Sequence, residues 1–302
     1  MQGLQFTLQG KGRNKYGDLV SRGQVQGYHL KPHAVDISKG AHRVDIAGLK
    51  KAEQRDVILS EGNEFAAKFT LGIEVEKNSL HRSAVKEYPL LCGFERDGSC
   101  GYEAVSHILP LLPAGQWRTK VFDLFVQAEK IIDDRYSPSD KRCGGHMTLG
   151  VAGMTGDQLR EAVRNFSGIV MALFRKRLKN SYCKHNLRMQ AWDDNTGHFN
   201  GWASKYQMAL VKDNVLEFRV VARFQSVKQV MRRYELMYEL VNFSVNNPGG
   251  SHETFLKRVA PIVLSMYNGN REEADKVIDY ARKFQKFINS GAIHPDIAEF
   301  LQ

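Results

Sequence analysis

The amino-acid sequence predicts an α+β protein in which helices pack on one face of a largely antiparallel sheet. Residues 68–76 alternate between polar and apolar side chains, as a half-buried strand does. Residues 206–211 and 215–224 are also strand-like, and they flank Asp213-Asn214, a pair typical of a hairpin turn. Because strands joined by hairpins are antiparallel neighbours, this order favours an antiparallel sheet over a doubly wound parallel one.

Apolar residues at helical spacing predict five helices between and after the strands. Two of them start at a capping-box pattern, from Thr155 to Gln158 and from Ser226 to Gln229. Pro261 is expected to kink or interrupt the fourth helix. The predicted helices span 117–132, 159–173, 227–241, 254–267 and 272–289. Two further short strands are predicted at 102–107 and 145–151.

The chain divides into three predicted regions. Residues 1–65 are basic and glycine-rich, which predicts either an extended arm or a small extra layer of strands. Residues 66–245 contain the predicted sheet and form the core. The linker sequence NNPGGS at 246–251 begins the third region, so residues 246–302 are expected to form a C-terminal helical segment packed on the core.

The composition limits the class of protein. A hydrophobic fraction of 42% in 302 residues is enough for a core and excludes disorder throughout. Four cysteines without a Cys-X-X-Cys pair, and the lack of a signal-peptide core or of ~18–20 consecutive apolar residues, predict a soluble, cytoplasmic protein with no membrane partner. The net charge of +10 attracts polyanions and acidic substrates, a property of nucleic-acid binders and of many enzymes alike.

Three glutamates are candidates for metal binding. Glu74 and Glu76 lie two residues apart on a predicted strand, so that their side chains share one face, roughly 6–7 Å apart. Glu103 lies in another predicted strand, after a turn predicted at residues 94–99, and can present a third carboxylate to that face. Hard divalent cations such as Mg²⁺ prefer oxygen ligands of this kind. The alternative interpretation is a solvated strand face.

A histidine and a Glu–Arg pair are further candidates. His146 follows two glycines at the start of a predicted strand, where a ligand can approach the backbone. Glu217 and Arg219 share one face of the second hairpin strand, and a guanidinium beside a carboxylate can hold a phosphate and a metal together. Lys205 and Arg223 flank the hairpin and extend this phosphate-binding surface. The alternatives are a structural histidine and a cross-strand salt bridge.

The order of these motifs resembles that of the amidoligase family, a phage and bacterial branch of the glutamine-synthetase-like carboxylate–amine ligases. The resemblance covers roughly residues 66–245, and it depends on the ordered set and not on any single motif. The matching stretches are Gly72-Ile73-Glu74-Val75-Glu76, Asp97-Gly98-Ser99 through Glu103-Ala104-Val105-Ser106, Gly145-His146-Met147-Thr148, and Glu217-Phe218-Arg219.

The resemblance implies a glutamine-synthetase-like catalytic core and an ATP- and Mg²⁺-dependent ligase. ATP would phosphorylate a substrate carboxylate to an acyl phosphate, and an amine would displace the phosphate to form an amide. The substrates would be small-molecule or peptide carboxylates and amines, and folds of this kind often form homo-oligomers. The implied ligands of two or three Mg²⁺ ions are Glu74, Glu76, Glu103, His146 and Glu217. The implied catalytic residues are Glu74, Glu76 and Arg219, and the implied nucleotide contacts are Arg219, Lys205, Thr148 and Arg223.

Thr148 is a departure from the family pattern, which commonly has His-X-His at this point. The second imidazole is replaced by a hydroxyl, which can still donate a hydrogen bond.

The sequence also fits a different function, in which a ligase-like fold with little or no catalysis binds single-stranded nucleic acid, as a phage transcription or replication factor does. Residues 174–188 carry six positive charges and no acidic side chain, and aromatic residues nearby offer faces for base stacking. The plain alternative is a solvated helix end whose cations complement the helix dipole. The candidate nucleic-acid contacts are Arg175, Lys176, Arg177, Lys179, Lys184, Arg188, Arg232 and Arg233.

Overall fold

The computed structural model describes residues 6–9, 57–60, 68–86, 88–179, 208–212 and 215–290 of the chain. The strands in these ranges are β1 (Phe6–Gln9), β2 (Val57–Ser60), β3 (Phe69–Lys77), β4 (Leu91–Asp97), β5 (Gly101–Ser106), β6 (Leu109–Pro110), β7 (Gly145–Val151), β8 (Ala209–Lys212) and β9 (Val215–Phe218). Strands β3 to β9 form one sheet, and β1 pairs with β2.

All pairs in the main sheet are antiparallel, in the order β4-β5-β3-β7-β9-β8, and the short β6 pairs with the beginning of β3. The longest strand, β3, therefore lies near the centre, between β5 and β7. This arrangement confirms the predicted antiparallel sheet.

Seven α-helices are described: α1 (Gln116–Gln127), α2 (Glu129–Ile132), α3 (Gly156–Arg164), α4 (Gly168–Leu173), α5 (Val227–Asn246), α6 (His252–Met266) and α7 (Arg271–Ser290). Short 3-10 helices occupy Arg82–Val85 and Arg175–Lys179. Helices packed against an antiparallel sheet make this an α+β fold, as the sequence predicts.

The sheet has one apolar face, which packs against the helices. Phe69, Leu71, Ile73 and Val75 alternate along β3, and all four belong to one hydrophobic cluster that includes residues of α1, α3 and α5. Each such side chain contributes about 1.5–3 kcal/mol when it is removed from water. The alternation that predicted the strand thus also determines which of its faces is left for polar residues.

Lys77 continues the apolar series and is fully buried. Its Nζ atom donates to Ile132 O at 2.6 Å, to Asp134 Oδ1 at 2.8 Å and to Phe224 O at 2.9 Å. Burial lowers the pKa of Lys77, although the carboxylate of Asp134 opposes this change. The three bonds connect the end of β3 to the end of α2 and to the segment before α5.

The region around residues 94–99 differs from its predicted turn. Residues up to Asp97 continue β4, which pairs with β5, and the turn is confined to 98–100. Phe94 is buried in the core and Glu95 lies on the opposite face, so the segment does alternate as a strand. The turn residues Asp and Gly obscured this short alternation.

Two of the predicted helices are interrupted. Residues 117–132 form α1 and α2, which meet at Ala128, and residues 159–173 form α3 and α4 with a break after Arg164. At this second break Ser167 Oγ donates to Val163 O, and α7 approaches the backbone at Gly168. The break thus coincides with a tertiary contact that local periodicity does not encode.

Both predicted helix starts have side-chain caps, with one difference. Thr155 and Gln158 form the complete capping box at the start of α3. At α5, Ser226 Oγ accepts from the backbone of Gln229, but the Gln229 side chain accepts from Gln225 N instead of from the cap residue. The helices that start there are therefore correctly located, although α5 extends to Asn246 and is longer than predicted.

Pro261 lies inside α6, which continues through it from His252 to Met266. The proline is on the exposed side of the helix, where water can satisfy the carbonyl that loses its partner.

The N-terminal region is described only at β1 and β2, which are antiparallel; the remainder of the predicted arm or layer lies outside the described residues, as do the hairpin residues Asp213 and Asn214. The C-terminal helices α6 and α7 contribute side chains to the same hydrophobic cluster as the sheet. None of the helices in the described ranges combines the length and hydrophobicity needed to span a membrane.

Candidate metal centre

The polar face of the sheet carries a row of glutamates across the three neighbouring strands β4, β5 and β3. Residues directly opposite each other in an antiparallel pair share a face. The register places Glu95 of β4 opposite Glu103 of β5, and Glu103 opposite Glu76 of β3. Carboxylates from three strands are therefore neighbours, although they are far apart in the sequence.

Two further rows continue this polar face toward β9. Glu74 of β3 is opposite His146 of β7, and Thr148 of β7 is opposite Glu217 of β9. The sheet register alone thus brings all five predicted metal ligands to one face.

His146 lies at the centre of these carboxylates. Its Nδ1 atom is 2.5 Å from Glu74 Oε2, and its Nε2 atom is 3.7 Å from Glu76 Oε1. Nδ1 is also 3.6 Å from Glu103 Oε1 and 3.8 Å from Glu217 Oε1. No side chain of this group is more than 14% exposed. Four largely buried carboxylates therefore surround one imidazole.

The electrostatics of the cluster favour a bound cation. Burial, followed by the charges of Glu74, Glu76 and Glu95, raises the pKa of Glu103 well above its usual range. Carboxylates at such distances are all ionised only when positive charge compensates them. Arg219 lies beside the cluster and balances only part of the charge of the four carboxylates around the imidazole, so a multivalent cation would relieve the remaining repulsion.

Arg219 lies at one side of the cluster, just after β9. Its Nη1 atom contacts Glu217 Oε1, and its backbone N–H donates to Met208 O at 2.8 Å. Burial opposes the guanidinium charge, but the attraction of Glu217, Glu74 and Glu103 raises the pKa of Arg219 above its ordinary value. The buried Nε atom has no hydrogen-bond partner among the described residues, so one donor remains for an anionic ligand.

Gly144 and Gly145 allow the start of β7 to approach its neighbours closely. Gly144 N donates to Glu76 Oε2 at 2.5 Å, and a Cβ atom at Gly144 would collide with the Arg177 guanidinium. A Cβ atom at Gly145 would lie 2.6 Å from the ring of Phe224. The sequence led us to expect that these glycines leave room for a ligand, but protein side chains occupy that space.

The arrangement fits a metal ion best at three residues. One ligand atom each from Glu74, Glu103 and His146 lies within 4.8 Å of the other two. Glu103 Oε1 is buried and accepts no hydrogen bond within the described part of the chain. A mainly carboxylate donor set suits Mg²⁺ or another hard divalent ion. Glu76 and Glu217 are close enough to His146 to serve a second ion or to bind water that an ion retains.

The three predicted nucleotide contacts other than Arg219 differ in their position relative to the carboxylate cluster. Thr148 is 2% exposed and lies beside the cluster, opposite Glu217. Arg223 is half-buried, and no described hydrogen bond or ion pair connects it to the carboxylates. Lys205 lies outside the described residues.

Sequence reasoning missed two residues that border the centre. Glu95 was assigned to a turn, yet it is opposite Glu103 and contributes to the raised pKa of that group. Arg177 was considered only as a nucleic-acid contact, whereas it donates from Nη1 to Cys143 O at 3.1 Å and lies against Gly144, next to Glu76. The alternation of Phe94 and Glu95 could have indicated that Glu95 lies on the polar face. No local signal indicated the position of Arg177.

The predicted nucleic-acid contacts have varied surroundings. Arg175 and Arg233 are each 9% exposed, and the Arg175 guanidinium stacks over Tyr280 at 4.7 Å. Arg232 is paired with Glu235 at 2.7 Å, and Lys176 is exposed. The side chain of Lys179 and the whole of Lys184 and Arg188 lie outside the described residues.

Comparisons with models of known protein families, with curated proteins and with solved structures gave no match for this chain. The fold and the site together define this chain as an α+β protein with a carboxylate-rich candidate metal centre on its sheet.

Proposed function

We propose that this protein is an ATP- and Mg²⁺-dependent ligase that joins a carboxylate to an amine through an acyl phosphate. The observation that carries the proposal is the convergence of Glu74, Glu76, Glu103 and Glu217 on His146, with Arg219 beside them. Phosphoryl transfer depends mainly on positioned cations, and this cluster is suited to hold them.

The residues that would bind Mg²⁺ are Glu74, Glu103 and His146, with Glu76 and Glu217 for a second ion. When bound, Mg²⁺ would neutralise the phosphate oxygens of ATP and the charge that develops on the transferred phosphoryl group.

The remaining residues would bind and orient. Arg219 would donate from Nε to a phosphate oxygen, and its contact with Glu217 would fix the plane of the guanidinium. The Gly144 N–H holds one oxygen of Glu76, which leaves the other directed at the cluster. Thr148 can donate its hydroxyl hydrogen beside Glu217.

The reaction balances without any further reagent. A carboxylate oxygen of the substrate attacks the γ-phosphorus of ATP, the bond to the β,γ-bridging oxygen breaks, and ADP leaves. The amine nitrogen then attacks the acyl carbon, the carbon–oxygen bond to phosphate breaks, and the amine loses a proton. The products are an amide, ADP and phosphate.

The finer proposal is that residues 66–245 form a glutamine-synthetase-like core of the amidoligase type. It is supported by the antiparallel sheet and by the order in which β3, β5, β7 and β9 supply their polar residues. Small-molecule or peptide carboxylates and amines remain the proposed substrates.

Thermal shift tests the proposal first, and ADP release tests it second. Mg²⁺ with ATP should raise the melting temperature of the wild-type protein, and ADP release should increase when a mixture of carboxylates and amines is added. Glu76→Gln should lower ADP release by about 100-fold, the magnitude typical of removing one electrostatic contact from a transition state. Glu239→Gln, which alters a surface pair with Arg258, is the matched control. No Mg²⁺-dependent shift with ATP, together with unchanged ADP release in Glu76→Gln, would exclude this function.

The alternative proposal, single-stranded nucleic-acid binding, has less support. Arg175 and Arg233 are buried, and Arg232 is paired, so the described basic residues do not line up on one exposed surface. Oligonucleotide affinity that falls steeply with salt, and that Lys176→Gln weakens, would favour it over the ligase.

A further inference from the structure

A cavity of about 350 Å³ lies between the end of α4, the first turns of α5 and the end of α6. We call it the basic cavity. It does not include any residue of the metal centre, and the proposed ligase reaction does not use it.

The charge of the basic cavity has one sign. Lys228, Arg232 and Arg233 line it, and no acidic side chain is among its described lining residues. Lys228 Nζ donates to the neutral Asn268 side chain at 2.8 Å, and Arg232 uses Nη1 for Glu235 on the next turn of α5. The positive charge of the cavity therefore comes from Lys228 and Arg233, together with the part of the Arg232 guanidinium that Glu235 does not contact.

Arg233 is the member whose environment most requires an anion. Its side chain is packed between the rings of Phe174 and Phe224, with the guanidinium carbon 5.1 Å and 4.8 Å from their centroids. Nη1 donates to the backbone carbonyls of Ala222 and Arg223, but no ion pair joins Arg233 to an acidic group within the described ranges. A buried guanidinium without a carboxylate is costly, since solvation is lost and no opposite charge replaces it.

A neighbouring cation increases this cost. The pKa of Arg233 is lowered to about 9, mainly by burial and secondly by the positive charge of Arg177. At neutral pH the group is still protonated, so the basic cavity retains its positive charge.

The rest of the lining is apolar or neutral. Leu173, Phe174, Met266 and Tyr267 supply apolar and aromatic surface, while Ser226 adds a hydroxyl. The volume lies in the range of small-molecule sites, and an aromatic wall in a cavity lined by two arginines and a lysine suits a ligand that is itself partly apolar and partly anionic. A phosphate dianion matches the forked donors of two arginines better than a single carboxylate does.

We propose that the basic cavity binds a small organic phosphate, with Arg232, Arg233 and Lys228 holding the phosphate group and Phe174 and Tyr267 contacting its apolar part.

Calorimetric titration with phenyl phosphate in the presence of EDTA tests this site separately from the metal centre, because the metal-free carboxylates repel anions. We expect one molecule bound per chain, with inorganic phosphate and phenol each binding more weakly. Arg232→Gln and Lys228→Gln at the partly exposed rim should together weaken phenyl phosphate at least about tenfold, the loss expected for two charge-assisted contacts. Lys257→Gln, an exposed lysine of α6 outside the cavity, should leave the affinity unchanged.

Arg233→Met should also weaken phenyl phosphate. Melting curves of each variant show whether it is folded, and the rim substitutions keep the test valid if Arg233→Met does not fold. The proposal would be overturned by no saturable binding of phenyl phosphate, by equal affinity in the rim double variant, or by an equal loss in Lys257→Gln. Loss of binding in Glu76→Gln would also overturn it, since that result would locate phenyl phosphate at the metal centre.

Discussion

At the scale of single residues, Glu103 is a carboxyl group whose ionisation the folded, metal-free protein opposes. Its pKa is raised in the folded state, mainly by burial and then by the charges of Glu74, Glu76 and Glu95. The unfolded chain therefore releases this proton at a lower pH than the folded protein does. The stability that protonated Glu103 provides is complete below its ordinary value near 4.5 and is lost as pH rises through the raised folded pKa.

Glu103→Gln should consequently raise the melting temperature of the metal-free protein at pH 8 and have a smaller effect at pH 5, because glutamine has a similar shape and no charge. The same substitution should reduce the stabilisation that Mg²⁺ gives to the wild type. Thermal unfolding in EDTA and in Mg²⁺ at the two pH values measures both effects. The matched control is Glu253→Gln, since a hydrogen bond from exposed Arg282 lowers the pKa of Glu253 and the same shift should not appear. A variant that melts below the wild type at pH 8 in EDTA would contradict the electrostatic account.

Arg219 and Arg223 are two predicted phosphate-binding residues that the structure places in different surroundings. Both were predicted nucleotide contacts, but only Arg219 touches the carboxylate cluster. Arg219→Lys keeps the charge and loses the forked donor set, so kcat/KM for ATP should fall by about tenfold or more. Arg223→Lys should remain within about twofold, the change expected when no phosphate contact is lost. Steady-state ADP release measures both variants, and an equal effect at the two positions would place the phosphate elsewhere.

The residues of the candidate site were largely predictable, because strand alternation fixes which side chains share a face. Glu74 and Glu76 follow from the alternation in β3, and the motif order added Glu103, His146 and Glu217. Glu95 was not recognised as a strand residue of the site because the Asp97-Gly98 pair at the end of its strand is typical of a turn. Arg177 was not predictable as a neighbour of Glu76, since a contact between a 3-10 helix and the start of β7 leaves no pattern in either segment.

At the scale of secondary-structure elements, the position of β7 depends on two glycines that precede His146. A methyl group at Gly145 would lie 2.6 Å from the Phe224 ring, which is fully buried and cannot move freely. Gly145→Ala should therefore destabilise the protein by about 1–3 kcal/mol, the usual cost of overpacking a core. Urea unfolding measures the change in the free energy of unfolding.

Gly249→Ala is the control for Gly145→Ala, because a methyl group there would meet no atom within 4 Å. Its free energy of unfolding should change little. If Gly145→Ala were as stable as this control, β7 would not be held by the packing of Phe224.

Elements with local signals were predicted well, and those that depend on distant contacts were not. Thr155 and Ser226 mark helix starts because a capping side chain acts within four residues. The break between α3 and α4 lies where α7, more than a hundred residues further along the chain, packs against Gly168. The end of α5 was predicted too early because Asn242, Ser244 and Asn246 are weak helix formers, whereas the buried Phe243 keeps the last turn packed on the core.

At the scale of the whole molecule, the strand order was beyond sequence reasoning. Alternation indicates that β3, β5 and β7 are strands, but it does not say that β3 lies between β5 and β7. The motif order implied that their polar residues meet, and the register supplies the reason: Glu74 pairs with His146, and Glu76 pairs with Glu103. The segment predicted to start at residue 246 contains α6 and α7, and both helices contribute side chains to the hydrophobic core of the sheet.

Gln285 of α7 provides a test of whether the C-terminal helices unfold together with the sheet. It is 2% exposed; its Oε1 atom accepts from Gly168 N at 2.9 Å, and its Nε2 atom donates to Arg164 O at 3.0 Å. Gln285→Leu removes both bonds and leaves Gly168 N buried without its partner, at a cost of about 1–3 kcal/mol, whereas Arg164 O still accepts from Ser167 N at 3.4 Å. If α7 belongs to one cooperative unit with the sheet, calorimetry should show a single transition that shifts to lower temperature as a whole, and Mg²⁺ should still raise it. Lys286→Gln, at the exposed neighbouring position, should leave the transition where it is. Two separated transitions, of which only the one insensitive to Mg²⁺ moves, would instead mean that residues after 246 fold independently of the metal centre.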